Sequence, residues 1–135
     1  MKRRQLRQLA AYLWAAPCSL PGLLLAALLL PCGGRIRRQQ GALEVALPPW
    51  RWLRRLPFAA ITLGHVILGL DLATLAALRP HEQVHVRQFQ RWGVLMLLAY
   101  PAASLWQWLR GRRPYWDNPF EVAARRQSGI PPEPR

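Results

Sequence analysis

Asp71-Leu-Ala-Thr-Leu-Ala-Ala-Leu-Arg-Pro-His81-Glu82-Gln83-Val84-His85 is the stretch on which the reading of this chain turns. Asp71 is a good helix N-cap, and Leu72, Leu75, Ala76 and Leu78 recur at helical spacing, so a helix is expected from about residue 72. Pro80 removes one backbone hydrogen bond. It either kinks one long helix or marks a fresh start just before His81. In both cases His81 and His85 stay helical. Four residues is slightly more than one turn, so the two imidazoles project from one face and can share a metal ion, with Glu82 beside it. A zinc ion held by two histidines and a third protein ligand keeps a position open for water, whose pKa falls to about 7; a neighbouring carboxylate can take the proton. The bland alternative makes these residues ordinary polar groups on a solvated face. Against it, two of the three histidines in the chain fall within five residues. Val84, Phe89, Trp92 and Leu95 continue the apolar spacing and carry the helix to about Ala99.

A third ligand is needed, and Glu121 is the first candidate. Asn118 reads as an N-cap with Pro119 at the first helical position, which puts Glu121 in the first turn of a new helix. The same placement makes a capping-box-like arrangement that needs no metal. Asp117 is the other candidate ligand. No charge interrupts Trp92 to Leu109, which invites a second membrane span. A straight helix from His85 to Arg110 would be about 37 Å long, and the chain from there to Glu121 reaches at most about 40 Å. For Glu121 to return to the histidines the chain must turn back near Tyr100-Pro101, giving a helical hairpin whose second arm Pro101 opens. Gln88, one turn after His85, is a candidate to hydrogen-bond a ligand from behind, or is simply solvated. His65 reads as a structural residue or as a donor near the metal, and Tyr115 as an oxyanion donor or a membrane anchor.

The rest of the chain is greasy and basic. Hydrophobic residues make up 52% of its 135 residues, and Lys+Arg outnumber Asp+Glu by 19 to 6, a net charge of +13. No nucleic-acid-binding motif accompanies the arginines, which sit beside apolar stretches as they do near anionic lipid. Seven tryptophans suit an interfacial belt or a core. Between Arg7 and Arg35 no charge appears. That run is long enough to span a bilayer, and Pro17 and Pro21 are better tolerated there than in water. No small-x-small cleavage site follows it, so an uncleaved anchor is expected. Cys18 and Cys32 would stand about 21 Å apart on a helix, too far for a disulfide. Residues 35–40 and 42–47 read as a hairpin around Gly41, and 58–63 and 66–70 as a second around Gly64-His65.

His81-Glu82-Gln83-Val84-His85 followed by Asn118-Pro119-Phe120-Glu121 resembles the gluzincin branch of the zincin metallopeptidases over roughly Leu63 to Arg126. The phrases around Gly64-His65, His85-Val86-Arg87-Gln88 and Asn118-Pro119-Phe120-Glu121 are also similar to a group of small bacterial membrane proteins with an HExxH motif. The resemblance implies zinc held by His81, His85 and Glu121, with Glu82 as general base. The expected fold is α+β: an N-terminal membrane helix over 1–34, a minimal zincin-like domain over 35–127 with a small antiparallel sheet, the motif helix and the helical hairpin, and a flexible tail over 128–135. The expected function is a membrane-anchored zinc metallohydrolase, a metallopeptidase, with lipid and a peptide or protein as partners and the bacterial inner membrane as location. Strands near Ile61 to Leu68 would offer an edge to an extended peptide. The alternative is a non-enzymatic membrane scaffold in which the motif is structural or accidental.

Overall fold

The computed structural model describes residues 2–129; most of the expected C-terminal tail lies outside them. Four helices and four strands follow in the order α1 Arg3–Leu29, β1 Arg35–Gln39, β2 Ala42–Ala46, β3 Ala60–Leu63, β4 Val66–Gly69, α2 Leu72–Trp92, α3 Met96–Leu109 and α4 Pro119–Ser128. A 3₁₀ turn, Arg51–Arg55, connects β2 to β3. Both expected hairpins form, β1 with β2 and β3 with β4, each antiparallel. The expectation of a wholly antiparallel sheet fails, because β2 and β4 run parallel and the order is β1-β2-β4-β3. The sheet is mixed because the two hairpins join side by side through strands of like direction. β4 is therefore interior, and on that side of the sheet only β3 offers a free edge.

Alternation along the central strands sends side chains to two helical layers. Ala42, Ala46 and Ile67 pack with Leu75 and Val86 of α2, while Val45, Val66 and Leu68 pack with Ala26 of α1. Glu44 also faces α2. It is fully buried, and it bonds Arg37 Nε at 2.8 Å and Arg79 Nε at 2.8 Å. The two arginines outweigh the cost of burying that carboxylate and hold it below the usual carboxylate range.

α1 is long and apolar enough to cross a membrane, but it does not stand apart from the sheet. Its buried residues are Ala15, Cys18, Ser19, Gly22 and Ala26, a narrow seam of small side chains at spacings of three and four. A Cβ on Gly22 would lie 2.8 Å from Val66 Cβ, so glycine is what lets helix and strand approach. Polar bonds fasten the same seam: Tyr12 Oη donates to Gly41 O at 2.8 Å, and Ser19 Oγ accepts from the His65 N–H at 2.9 Å.

α2 is one helix. Asp71 Oδ1 accepts from the Thr74 N–H at 2.7 Å to cap it, and it continues through Pro80. The expected turn near Tyr100-Pro101 lies earlier. Gly93 ends α2 with φ of +58°, residues 93–95 form a 3₁₀ turn, and α3 runs through Pro101 to Leu109. A Cβ at Gly93 would meet the Trp14 ring at 2.5 Å, so both the reversal and the packing of α1 call for glycine there. The return to the site is made by residues 110–118, anchored where Asn118 Nδ2 donates to Tyr100 O at 3.1 Å and to Ser104 Oγ at 2.7 Å.

Candidate metal centre

His81 and His85 lie a turn apart on the buried face of α2, and α4 brings Glu121 against them. Asn118 Oδ1 accepts from the Phe120 N–H at 2.9 Å, so Asn118 caps α4 and Pro119 occupies the first turn. Glu121 Oε2 is 3.0 Å from His81 Nε2 and Oε1 is 3.2 Å from His85 Nε2; the two Nε2 atoms are 3.2 Å apart. Metal–ligand bonds of about 2.0–2.1 Å in a tetrahedron require donor atoms about 3.3 Å apart. The three side chains are thus already spaced to hold an ion, and all are buried.

Neighbouring residues fix how these ligands point. Gln88 Nε2 donates to Phe120 O at 2.9 Å, which sets its amide orientation and leaves Oε1 to accept from His85 Nδ1 at 2.8 Å. With the proton on Nδ1, the Nε2 lone pair of a neutral His85 faces the cluster. Tyr100 Oη donates to Glu121 Oε1 at 2.6 Å. Burial pushes the Tyr100 phenol up, and the charge of Glu121 adds to this, so it stays a donor. Burial disfavours a charge on His85, yet bonding to Glu121 prevails and raises its pKa. Glu121 is likewise opposed by burial. Its bonds to His81 and His85 win, and its carboxyl is held far below the usual range.

Glu82 is buried beside the cluster, where its Oε2 accepts from Thr62 Oγ1 of β3 at 2.7 Å. Glu82, His85 and Glu121 all line a cleft of about 1170 Å³, which residues of β3 line as well, together with Tyr100, Arg113 and Tyr115. Tyr115 is half exposed, and burial together with the charges of Glu121 and Glu82 pushes its phenol up. Asp117 is occupied elsewhere: its Oδ2 accepts from the Arg113 N–H at 2.8 Å. His65 is not brought to the cluster. Its ring packs edge-on against Tyr12 at 4.4 Å, its Nε2 lies 3.0 Å from Gln90 Nε2, and burial lowers its pKa.

Tyr100 and Thr62 were not legible as site residues. Neither belongs to a motif, and each reaches the site from an element whose position depends on tertiary packing. Thr62 had one signal, being a lone hydroxyl in an apolar strand between Ile61 and Leu63. Comparison with known proteins finds no matching family model, no matching curated protein and no matching solved structure.

Proposed function

We propose that this chain is a membrane-bound, zinc-dependent hydrolase of peptide bonds with a minimal zincin-like core. The observation that carries the reading is the convergence of His81, His85 and Glu121 at 3.0–3.2 Å with Glu82 beside them in an open cleft. Two nitrogens and one carboxylate suit zinc, and three protein ligands leave a position free, as catalytic rather than structural sites do. Bound there, zinc would supply a Lewis acid that polarises a carbonyl and lowers the pKa of water to about 7.

The chain's own groups do the rest. Thr62 holds Glu82 Oε2, which leaves Oε1 to take the proton from the attacking water and pass it to the leaving amine. Tyr100 keeps Glu121 turned towards the histidines. The free edge of β3 supports a peptide rather than a small substrate. Leu70 N–H bonds Ala59 O at 3.1 Å, so by antiparallel alternation Ile61 and Leu63 turn their backbone groups to β4. Ala60 and Thr62 turn theirs outward, along the cleft that Glu82 lines, where an extended peptide can add as a strand.

The test is zinc per chain and peptide hydrolysis in detergent for wild type and three variants. Wild type is expected to bind one zinc. His85→Ala and Glu121→Ala should lose affinity, and Glu82→Gln should keep zinc while losing about 10²–10⁴ in rate. No stoichiometric zinc on wild type would end the proposal, and zinc without hydrolysis would return the site to a structural role.

A further inference from the structure

The sheet runs alongside α1 for most of the helix. At one end Tyr12 bonds Gly41, and at the other the Gly34 N–H bonds Leu29 O at 3.0 Å. Between these points lie about 26 Å of helix, against a hydrocarbon layer of about 30 Å. Were α1 to stand across a bilayer, β1 would stand in the hydrocarbon with it. It is an outer strand of the sheet and, unlike β3, does not line the cleft. Open sheet edges do not occur in contact with lipid, because their N–H and C=O groups find no partners there. β1 also carries Arg35 and Arg38, both exposed.

Yet α1 is not a helix for water either. Outside its seam it exposes Leu9, Leu13, Leu20, Leu24 and Leu28. α3 repeats the pattern. It buries Met96 and Gln107 and turns Ser104 inward to Asn118, while Leu98, Leu105, Trp106, Trp108 and Leu109 lie exposed. An outer face more apolar than the inner one suits lipid rather than water. The two faces meet, since Trp14 covers Gly93 next to the exposed Val94 and Leu95. Cations border both: Lys2, Arg3, Arg4 and Arg7 begin α1, and Arg110, Arg112 and Arg113 follow α3.

We propose that α1 and α3 form a single monotopic face that lies in the plane of an anionic bilayer, and that α1 does not cross it. The sheet covers the side of α1 that an interfacial helix ordinarily gives to water, so no polar face is needed. The leucines and tryptophans enter the acyl region, and the flanking arginines reach back to acidic headgroups. Arg113 also lines the cleft, which puts its mouth at headgroup level.

The experiment reads topography and is independent of zinc or hydrolysis. In intact spheroplasts expressing the full chain on a Cys32→Ala background, Gln5→Cys and Gln127→Cys are reacted separately with a membrane-impermeant maleimide. The two should behave alike, both labelled or both protected, and both should react after detergent. One labelled and one protected would overturn the proposal. In phosphatidylcholine–phosphatidylglycerol vesicles, fluorophores on Leu13→Cys, Leu24→Cys and Leu98→Cys should be quenched by nitroxide lipids. Positions 13 and 24, about 16 Å apart along the helix, should report one depth. A gradient in depth would mean a spanning helix. Probes shielded from water but untouched by lipid quenchers would mean that a second copy covers the face, and would equally overturn it.

Discussion

α2 and α3 follow one another with residues 93–95 between them, and they are built inside out relative to each other. α2 buries Leu75, Val84, Val86 and Phe89 together with the site residues, and exposes Arg87 and Arg91. α3 buries Met96 and Gln107 and exposes leucines and tryptophans. Burial of apolar surface drives α2 onto the sheet, as in any water-soluble core. α3 gains little that way. It is held from within by Asn118 on Tyr100 and Ser104, and by Tyr100 on Glu121. In the proposed interfacial setting each helix faces a different solvent, and the candidate metal centre lies between α2 and the chain that follows α3.

The comparison is broken most severely at the clamp that fastens α2 to the sheet. Glu44 bonds Arg79 of α2 and Arg37 of β1, and Arg37 Nη2 also donates to Leu72 O at 2.9 Å. Glu44→Ala leaves Arg37 and Arg79 without their carboxylate partner, and should lower stability by about 3 kcal/mol, the lower end for a buried pair because both arginines are partly solvated. Chemical denaturation in detergent measures this. The pH dependence has a definite sign. The folded pKa of Glu44 is lowered, so its contribution is complete above the unfolded value of about 4.3 and is lost as pH falls through the folded value. Glu44→Ala should therefore make the acid limb of the stability profile less steep, the rest of it belonging to the other lowered carboxylates, Asp71 and Glu121; an unchanged limb would mean that Glu44 contributes nothing to it.

Local signals in the sequence carried much of this far. Asp71 and Asn118 announced their helices through side-chain caps, and Gly41 and Gly64 marked two hairpins, because a cap or a tight turn is decided within four or five residues. The parallel pairing of β2 with β4 had no such signal, being chosen by how two hairpins fit between α1 and α2. The reach of the chain points to a reversal at Pro101, whereas Gly93 makes it. Pro101 stands inside α3, which continues through it at the loss of one backbone hydrogen bond. The reversal needs a positive φ in close contact with Trp14 that glycine alone accommodates, and only the packing of Trp14 reveals that constraint. In the site, the histidines and Glu121 were legible from spacing and capping, whereas Tyr100 was hidden by the misplaced turn. The seam of α1 could have been read: Ala15, Ser19, Gly22 and Ala26 are small residues repeating on one face, which signals a helix packed closely along its length.

The joint between the two helices is the next place to test. Gly93→Ala adds a Cβ at φ of +58° that meets the Trp14 ring at 2.5 Å. Strain and overpacking together should cost about 2 kcal/mol. Because Met96 and Tyr100 follow the joint, a shift there would also move Tyr100 from Glu121, so zinc affinity should fall along with the denaturation midpoint. A midpoint that falls with no change in zinc affinity would show that the site is insulated from the reversal.

The smallest effect is expected on α3 itself, and its smallness carries the meaning. Leu98 is 72% exposed, so folding removes little of it from solvent and Leu98→Gln takes away little packing. In detergent its denaturation midpoint should stay within about 0.5 kcal/mol of wild type, as for surface positions generally. A leucine of the same size lost from a buried helical interface would cost several times more. Were α3 covered by a second chain, Leu98→Gln would lower the midpoint by that larger amount and make it depend on protein concentration. An unchanged, concentration-independent midpoint leaves the apolar face of α3 to the lipid and the apolar face of α2 to the core.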